Sequence, residues 1–196
     1  GLSLWPVLVD EAMHEIDPNF GGYTSWAYAV NNAEQVAGFA ARKYTLFSHD
    51  HAFRWTDANT DNVVDAGEVL EILALNGETD SRSYARDLND LGEVVGYSEA
   101  PTYNHAFAFG DVDDDGVVDA GELADLGTFG GSASEAYGIN GSSQVVGRAQ
   151  ATDGQNHAFV WTDTTANWQV DAGEVVDLHA DGFGGAQSGA HAISDA

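Results

Sequence analysis

Three twelve-residue stretches have the residue types and spacing to bind a hard cation: DANTDNVVDAGE at 57–68, DVDDDGVVDAGE at 111–122 and DTTANWQVDAGE at 163–174. A calcium loop of the EF-hand type takes oxygen ligands from positions 1, 3, 5, 7, 9 and 12, turns sharply at position 6 and ends on a bidentate glutamate. The second stretch meets every position, with Asp111, Asp113, Asp115, the Val117 carbonyl, Asp119 and Glu122 as ligands and Gly116 at the turn. The first offers Asp57, Asn59, Asp61, the Val63 carbonyl, Asp65 and Glu68, with Asn62 at the turn, a residue type that tolerates left-handed backbone. The third is the poorest match. Asp163, Thr165, Asn167, the Gln169 carbonyl, Asp171 and Glu174 include three carboxylates, and Trp168 stands at the turn.

Asp, Asn and Gly also build solvated turns that need no ion. Crowding argues against that for the second stretch, whose five ligand carboxylates repel one another unless a cation sits among them. An all-oxygen donor set selects calcium over zinc, and a flexible cage of several carboxylates selects it over magnesium. The expectation is Ca2+ in the first two loops, with the third left open.

What positions these loops is a repeat. His-Ala-Phe recurs at His51, His105 and His157, spaced by 54 and 52 residues, and each copy runs straight into one of the acidic stretches. Before each copy comes an asparagine turn leading to a short apolar run: VNNAEQVAG (30–38), LNDLGEVVG (88–96) and INGSSQVVG (139–147). Each loop ends on Gly-Glu, and a second apolar run follows. A looser element, DLGTFGG (125–131), returns as DLHADGFGG (177–185) and EIDPNFGG (15–22). The apolar pieces are four to seven residues long and rich in Val, Ile, Phe, Trp and Tyr, so they read as strands. Period two puts His51, Phe53 and Trp55 on one face, matched by His105, Phe107 and Phe109 and by His157, Phe159 and Trp161, and that face is expected to be core. Each loop then closes a hairpin between strands, which suits a structural clip better than a helix-opening trigger.

These motifs resemble the bacterial extracellular repeats named for their His-Ala-Phe signature. The match lies in HAFRWTD, HAFAFGD and HAFVWTD with their asparagine turns and the DLGTFGG-like element. The resemblance implies β-propeller-like blades on secreted or surface-exposed proteins and no known catalytic residues. The segment EILALNGETD departs from it by lacking the double glycine, and the acidic loops are insertions resembling EF-hand or dockerin loops. Integrin-type propellers are similar in carrying calcium loops between blade strands. The fold class expected is all-β, with tandem four-stranded blades: 1–22 the closing half of a unit, 23–80, 81–132 and 133–187 three full units, and 188–196 the opening strand of a further one.

Composition bounds the function. Among 196 residues, 6 Lys and Arg face 32 Asp and Glu, and a formal charge of -26 repels nucleic acid and anionic membranes. With 43% hydrophobic residues the chain folds despite that charge. Zero cysteines exclude disulfides and thiol chemistry, and no apolar run approaches the roughly 18 residues of a membrane span. Gly1 in place of a methionine suggests a processed product or a piece of a longer chain.

Other chemistries fall away. Ser48, His49 and Asp50 are adjacent, so on a strand they point to alternating faces and form no triad. The repeated histidines read as hydrogen-bonded core residues rather than metal ligands. Arg42, Lys43, Arg54, Arg82, Arg86 and Arg148 are scattered, and TFGG (128–131) and GFGG (182–185) lack the helix and lysine of a phosphate loop. The expected function is a non-catalytic, calcium-stabilised structural or adhesive protein of a bacterial surface or matrix, self-associating through incomplete terminal repeats into a filament. The alternative is a propeller module that binds glycan or protein. A carbohydrate-active enzyme stands behind both.

Overall fold

The computed structural model describes residues 20–43, 48–179 and 185–195; these contain twelve β-strands and no helix. β1 (Gly21–Val30), β2 (Gln35–Lys43), β3 (Ser48–Thr56) and β4 (Val69–Ile72) form one antiparallel sheet in chain order. β5 (Ser83–Leu88), β6 (Val94–Glu99), β7 (Asn104–Phe109) and β8 (Leu123–Asp125) form a second. β9 (Gly130–Ile139), β10 (Gln144–Ala151), β11 (Asn156–Thr162) and β12 (Val175–Asp177) form a third. β1 and β9 begin before residues 23 and 133, so Gly21 and Gly22 join the first sheet rather than closing an earlier unit. The rest of that closing half, 1–19, lies outside the described residues, as does 180–184 of the GFGG segment.

The three sheets pack face on face. The HAF strands of the second and third sheets turn their aromatic residues toward the preceding sheet, and those of the first and second sheets turn their Ala toward the following one. Phe107 and Phe109 therefore pack with Ala37, Ala52, Leu70 and Ile72 of the first sheet. Phe159 and Trp161 pack with Val95, Ala106, Ala108 and Ala124 of the second. Phe53 and Trp55 form a smaller cluster with Val36 and Ala40, against which Phe20, Val64 and Val69 pack. The Phe and Trp of that face are core as expected and His51 is buried, whereas His105 and His157 are only half-buried; the opposite face is core as well, since Ala52 and Ala106 are fully buried.

Within each sheet one position requires glycine. In the second strand of each sheet stands a glycine, Gly38, Gly96 or Gly147, opposite a bulge in the first strand. A Cβ there would lie 1.9, 1.9 or 2.1 Å from the carbonyl oxygen of Trp26, Tyr84 or Glu135, so any side chain would force the strands apart.

Two hydrogen-bonded devices join each unit to the next. The backbone N–H of Ala52, Ala106 and Ala158 donates to the Oγ of Ser83, Ser134 and Ser188, at 2.8, 2.8 and 2.9 Å. The turn asparagines form a ladder, in which Asn31 Nδ2 donates to the Asn89 carbonyl, Asn89 to the Asn140 carbonyl and Asn140 to the Ser194 carbonyl. Each Oδ1 also accepts the N–H groups two and four residues on, which closes the turn. Residues 185–195 form no strand, a difference from the expected opening strand at 188–196; they are held against the third sheet by Ser188, Ser194, Asp195 and the Ala190 N–H bonded to the Gly147 carbonyl. Asn89→Ala removes the buried link between the second and third units and is expected to cost about 1–3 kcal/mol in urea unfolding. A loss under a few tenths would mean the ladder carries no stability.

Candidate metal centre

All three acidic stretches connect neighbouring antiparallel strands. The hairpins close on Trp55 opposite Val69, Phe109 opposite Leu123 and Trp161 opposite Val175. Their backbones follow one pattern. Positions 4 and 6 take left-handed φ in every loop, at Thr60 and Asn62, Asp114 and Gly116, and Ala166 and Trp168, and position 11 is a left-handed glycine. The position-12 glutamates Glu68, Glu122 and Glu174 are buried. One oxygen of each accepts the N–H of position 2, from Ala58, Val112 or Thr164, and the other accepts that of position 9, from Asp65, Asp119 or Asp171. The glutamate thus ties the loop ends together, and the bonds from Asp171 and Thr164 hold Glu174 below the usual carboxylate range.

The loops differ in what faces their carboxylates. In loop one the Asn59 amide donates to Asp61 and Asp65, and Asp57 accepts the N–H groups of Asp61 and Asn62. In loop three Thr165 and Asn167 donate to Asp171, and Asp163 accepts the Trp168 N–H at 2.7 Å. Loop two has no such side-chain donors at positions 3 and 5. Ligand atoms of Asp111, Asp113 and Asp115 lie within 4.8 Å of one another. Local desolvation, reinforced by Asp115, Glu122 and Asp119, pushes the Asp113 carboxyl up. Asp111 is 6% exposed at its side chain; Oδ2 accepts Arg54 Nη2 at 3.0 Å, while the buried Oδ1 has no hydrogen-bond partner.

Trp168 does not spoil the third loop as its position suggests. It takes φ 51°, is buried near Trp161, and lies over Gly110 of the neighbouring sheet, where a Cβ would stand 2.2 Å from its ring. Packing offsets the left-handed backbone cost.

Sequence reasoning missed the partner of each HAF histidine. His51, His105 and His157 lie 2.6, 2.9 and 2.7 Å from Glu71, Asp125 and Asp177, each twenty residues on in the strand after the loop. That recurring spacing was the available signal. Burial raises the Glu71 carboxyl, but His51 and Arg42 outweigh it and hold it below its ordinary range. Its contribution to stability is therefore present above the unfolded value and lost as pH falls through the folded one. Glu71→Gln is expected to melt below the parent at pH 7, with the gap narrowing below about pH 4. A constant gap would remove the ion pair from the account.

The basic residues are dispersed in pairs across the sheets. Arg42 pairs with Glu71, Arg54 with Asp111, Arg82 with Glu99 and Arg148 with Glu135, and Arg86 lies over the rings of Tyr28 and Tyr97. Asp50, beside Ser48 and His49, accepts the Tyr84 hydroxyl. No protein-family model, curated protein or solved structure matches this chain.

Proposed function

We propose that the chain is a calcium-stabilised array of HAF-type repeats, arranged as propeller-like blades, with a non-catalytic structural or adhesive role outside a bacterial cell. The observation that carries the calcium reading is loop two, where three carboxylates converge with no side-chain donor at positions 3 and 5, and where Arg54 engages only Oδ2 of Asp111, leaving the buried Oδ1 without a partner. Asp111, Asp113, Asp115, Asp119, Glu122 and the Val117 carbonyl would hold the ion, which would take the place that the hydrogen-bonding Asn59 amide takes in loop one. Loops one and three share the backbone and have neutral donors at their centres, so they bind more weakly. The blade reading draws support from the face-on-face sheets and from the turns of successive units meeting around one depression. An extracellular setting supplies calcium at levels that weak loops can use. Calorimetric titration of the chelator-stripped chain with calcium tests the reading: a strongest site lost in Asp115→Ala supports it, and no heat of binding sinks it.

A second reading, recognition of glycan or protein, is favoured by Tyr23, Trp26 and Tyr28, which are 88%, 60% and 46% exposed along β1. Aromatic rings on an open strand serve as contact anchors for a partner. Self-association through β1 is the structural version of the same surface, because an edge strand offers unpaired backbone groups to a second copy. Light scattering in millimolar calcium with Trp26→Ala as the comparison separates the two: mass that falls on substitution indicates self-association, and an unchanged monomer leaves recognition.

A further inference from the structure

The ends of β1, β5 and β9 and residues 193–195 meet around a single depression of about 420 Å3, a size that accommodates small ligands. Its apolar lining repeats once per unit, as Val30, Leu88, Ile139 and Ile193. Its polar lining accepts hydrogen bonds far more than it donates them, for a reason the ladder fixes. Asn31, Asn89 and Asn140 each spend both side-chain N–H groups, one on the residue four positions on and one on the next unit's carbonyl. The backbone N–H groups of Asn32 and Gly141 are spent on Asp90 and Asp195. What remains are one N–H of the Asn32 amide, the Ser194 hydroxyl and these two carboxylates, each carboxylate with lone pairs to spare. The bonds from the side chain and backbone of Asn32 hold the Asp90 carboxyl below its usual range, so it is charged at neutral pH.

An anion is repelled by this rim and by the charge of -26. A hydrated metal ion gains nothing from four aliphatic side chains. We propose that the depression binds an alkylammonium group, its charged head on Asp90 or Asp195 and its hydrocarbon body against Val30, Leu88, Ile139 and Ile193. The lysine side chain of a partner polypeptide and a free diamine share that chemistry.

The test is an amide NMR titration of the whole chain in millimolar calcium at constant ionic strength, with butylammonium chloride, sodium butyrate and 1-butanol as probes. Saturable shifts at Asn32, Asp90, Gly141 and Asp195 are expected with butylammonium alone. Asp90→Asn combined with Asp195→Asn should weaken it by about tenfold, the effect of losing the charged partner, and the two single variants show which carboxylate takes the head. Val30→Lys, at an exposed position, places a tethered ammonium beside the depression and should abolish the shifts while leaving both carboxylates in place, so the test survives a misfolded Asp variant. Tighter binding of N-acetyl-lysine methylamide than of 1,5-diaminopentane would identify a polypeptide source, and the reverse a free diamine. Three results would overturn the proposal: no saturation at these residues, an equal response to 1-butanol, or ammonium shifts confined to 57–68, 111–122 and 163–174.

Discussion

Phe107→Ala is expected to cost about 3–5 kcal/mol, the usual range for deleting a fully buried phenyl ring, and to leave the chain largely unfolded at modest temperature. Phe107 has no exposed surface and packs between the first and second sheets with Ala52, Ile72, Ala85 and Val94. Its neighbours are strand residues held in antiparallel ladders, so the site cannot collapse freely to fill the cavity. A domain of this size has about 5–15 kcal/mol to lose. Tyr103, which is 56% exposed, provides the control, since an exposed substitution away from special features moves stability by at most about 0.5 kcal/mol. Urea unfolding of Phe107→Ala within that margin of the parent would mean that the sheets do not pack through the HAF strands.

Much of this architecture was legible in the sequence because it repeats. Alternation in HAFRW, HAFAF and HAFVW gave the strands and their aromatic face, and three aligned loops gave the hairpins. The alanine inside each motif has no evident role in the strand pattern, yet its N–H and its small side chain make the contact to the next unit. Ser83, Ser134 and Ser188, which accept those N–H groups, stood in register with one another and could have been noticed by aligning units rather than strands. The same alignment would have paired each HAF histidine with its acid. The Gly38, Gly96 and Gly147 requirement was harder to see, because it comes from a bulge on the neighbouring strand.

The candidate site was legible as a pattern of positions but not as a hierarchy. Counting carboxylates separated loop two from loop three; it did not show that Asn59 and Asn167 aim amide nitrogens, rather than oxygens, at neighbouring acids. Trp168 was misleading for a related reason. Its turn position argues against it, and the surface of Gly110 that receives it belongs to another sheet. The pairing of Arg54 with Asp111 spans 57 residues and two units, and no local rule reaches that far.

Loss of stability on calcium removal is the second large effect that the proposed function predicts. A site filled at a hundred times its dissociation constant adds about 2.7 kcal/mol to stability, which corresponds to about 5–10 °C in melting temperature for a chain of this length. The ion in loop two would neutralise carboxylates that otherwise repel one another and would satisfy the buried Asp111 oxygen, so the apo chain loses on both counts. Asp115→Ala should reproduce most of the loss in the presence of calcium, because it removes a central ligand from the loop that lacks side-chain donors at positions 3 and 5. Asp163→Ala should reproduce less of it, since loop three is closed by Thr165, Asn167 and the anchored Trp168.

The most direct measurement is a pair of thermal melts followed by circular dichroism, one in millimolar calcium and one in excess chelator, repeated with Asp115→Ala. The account predicts a midpoint about 5–10 °C lower in chelator for the parent chain and a much smaller difference for Asp115→Ala. Coincident melts of the parent with and without chelator would contradict it.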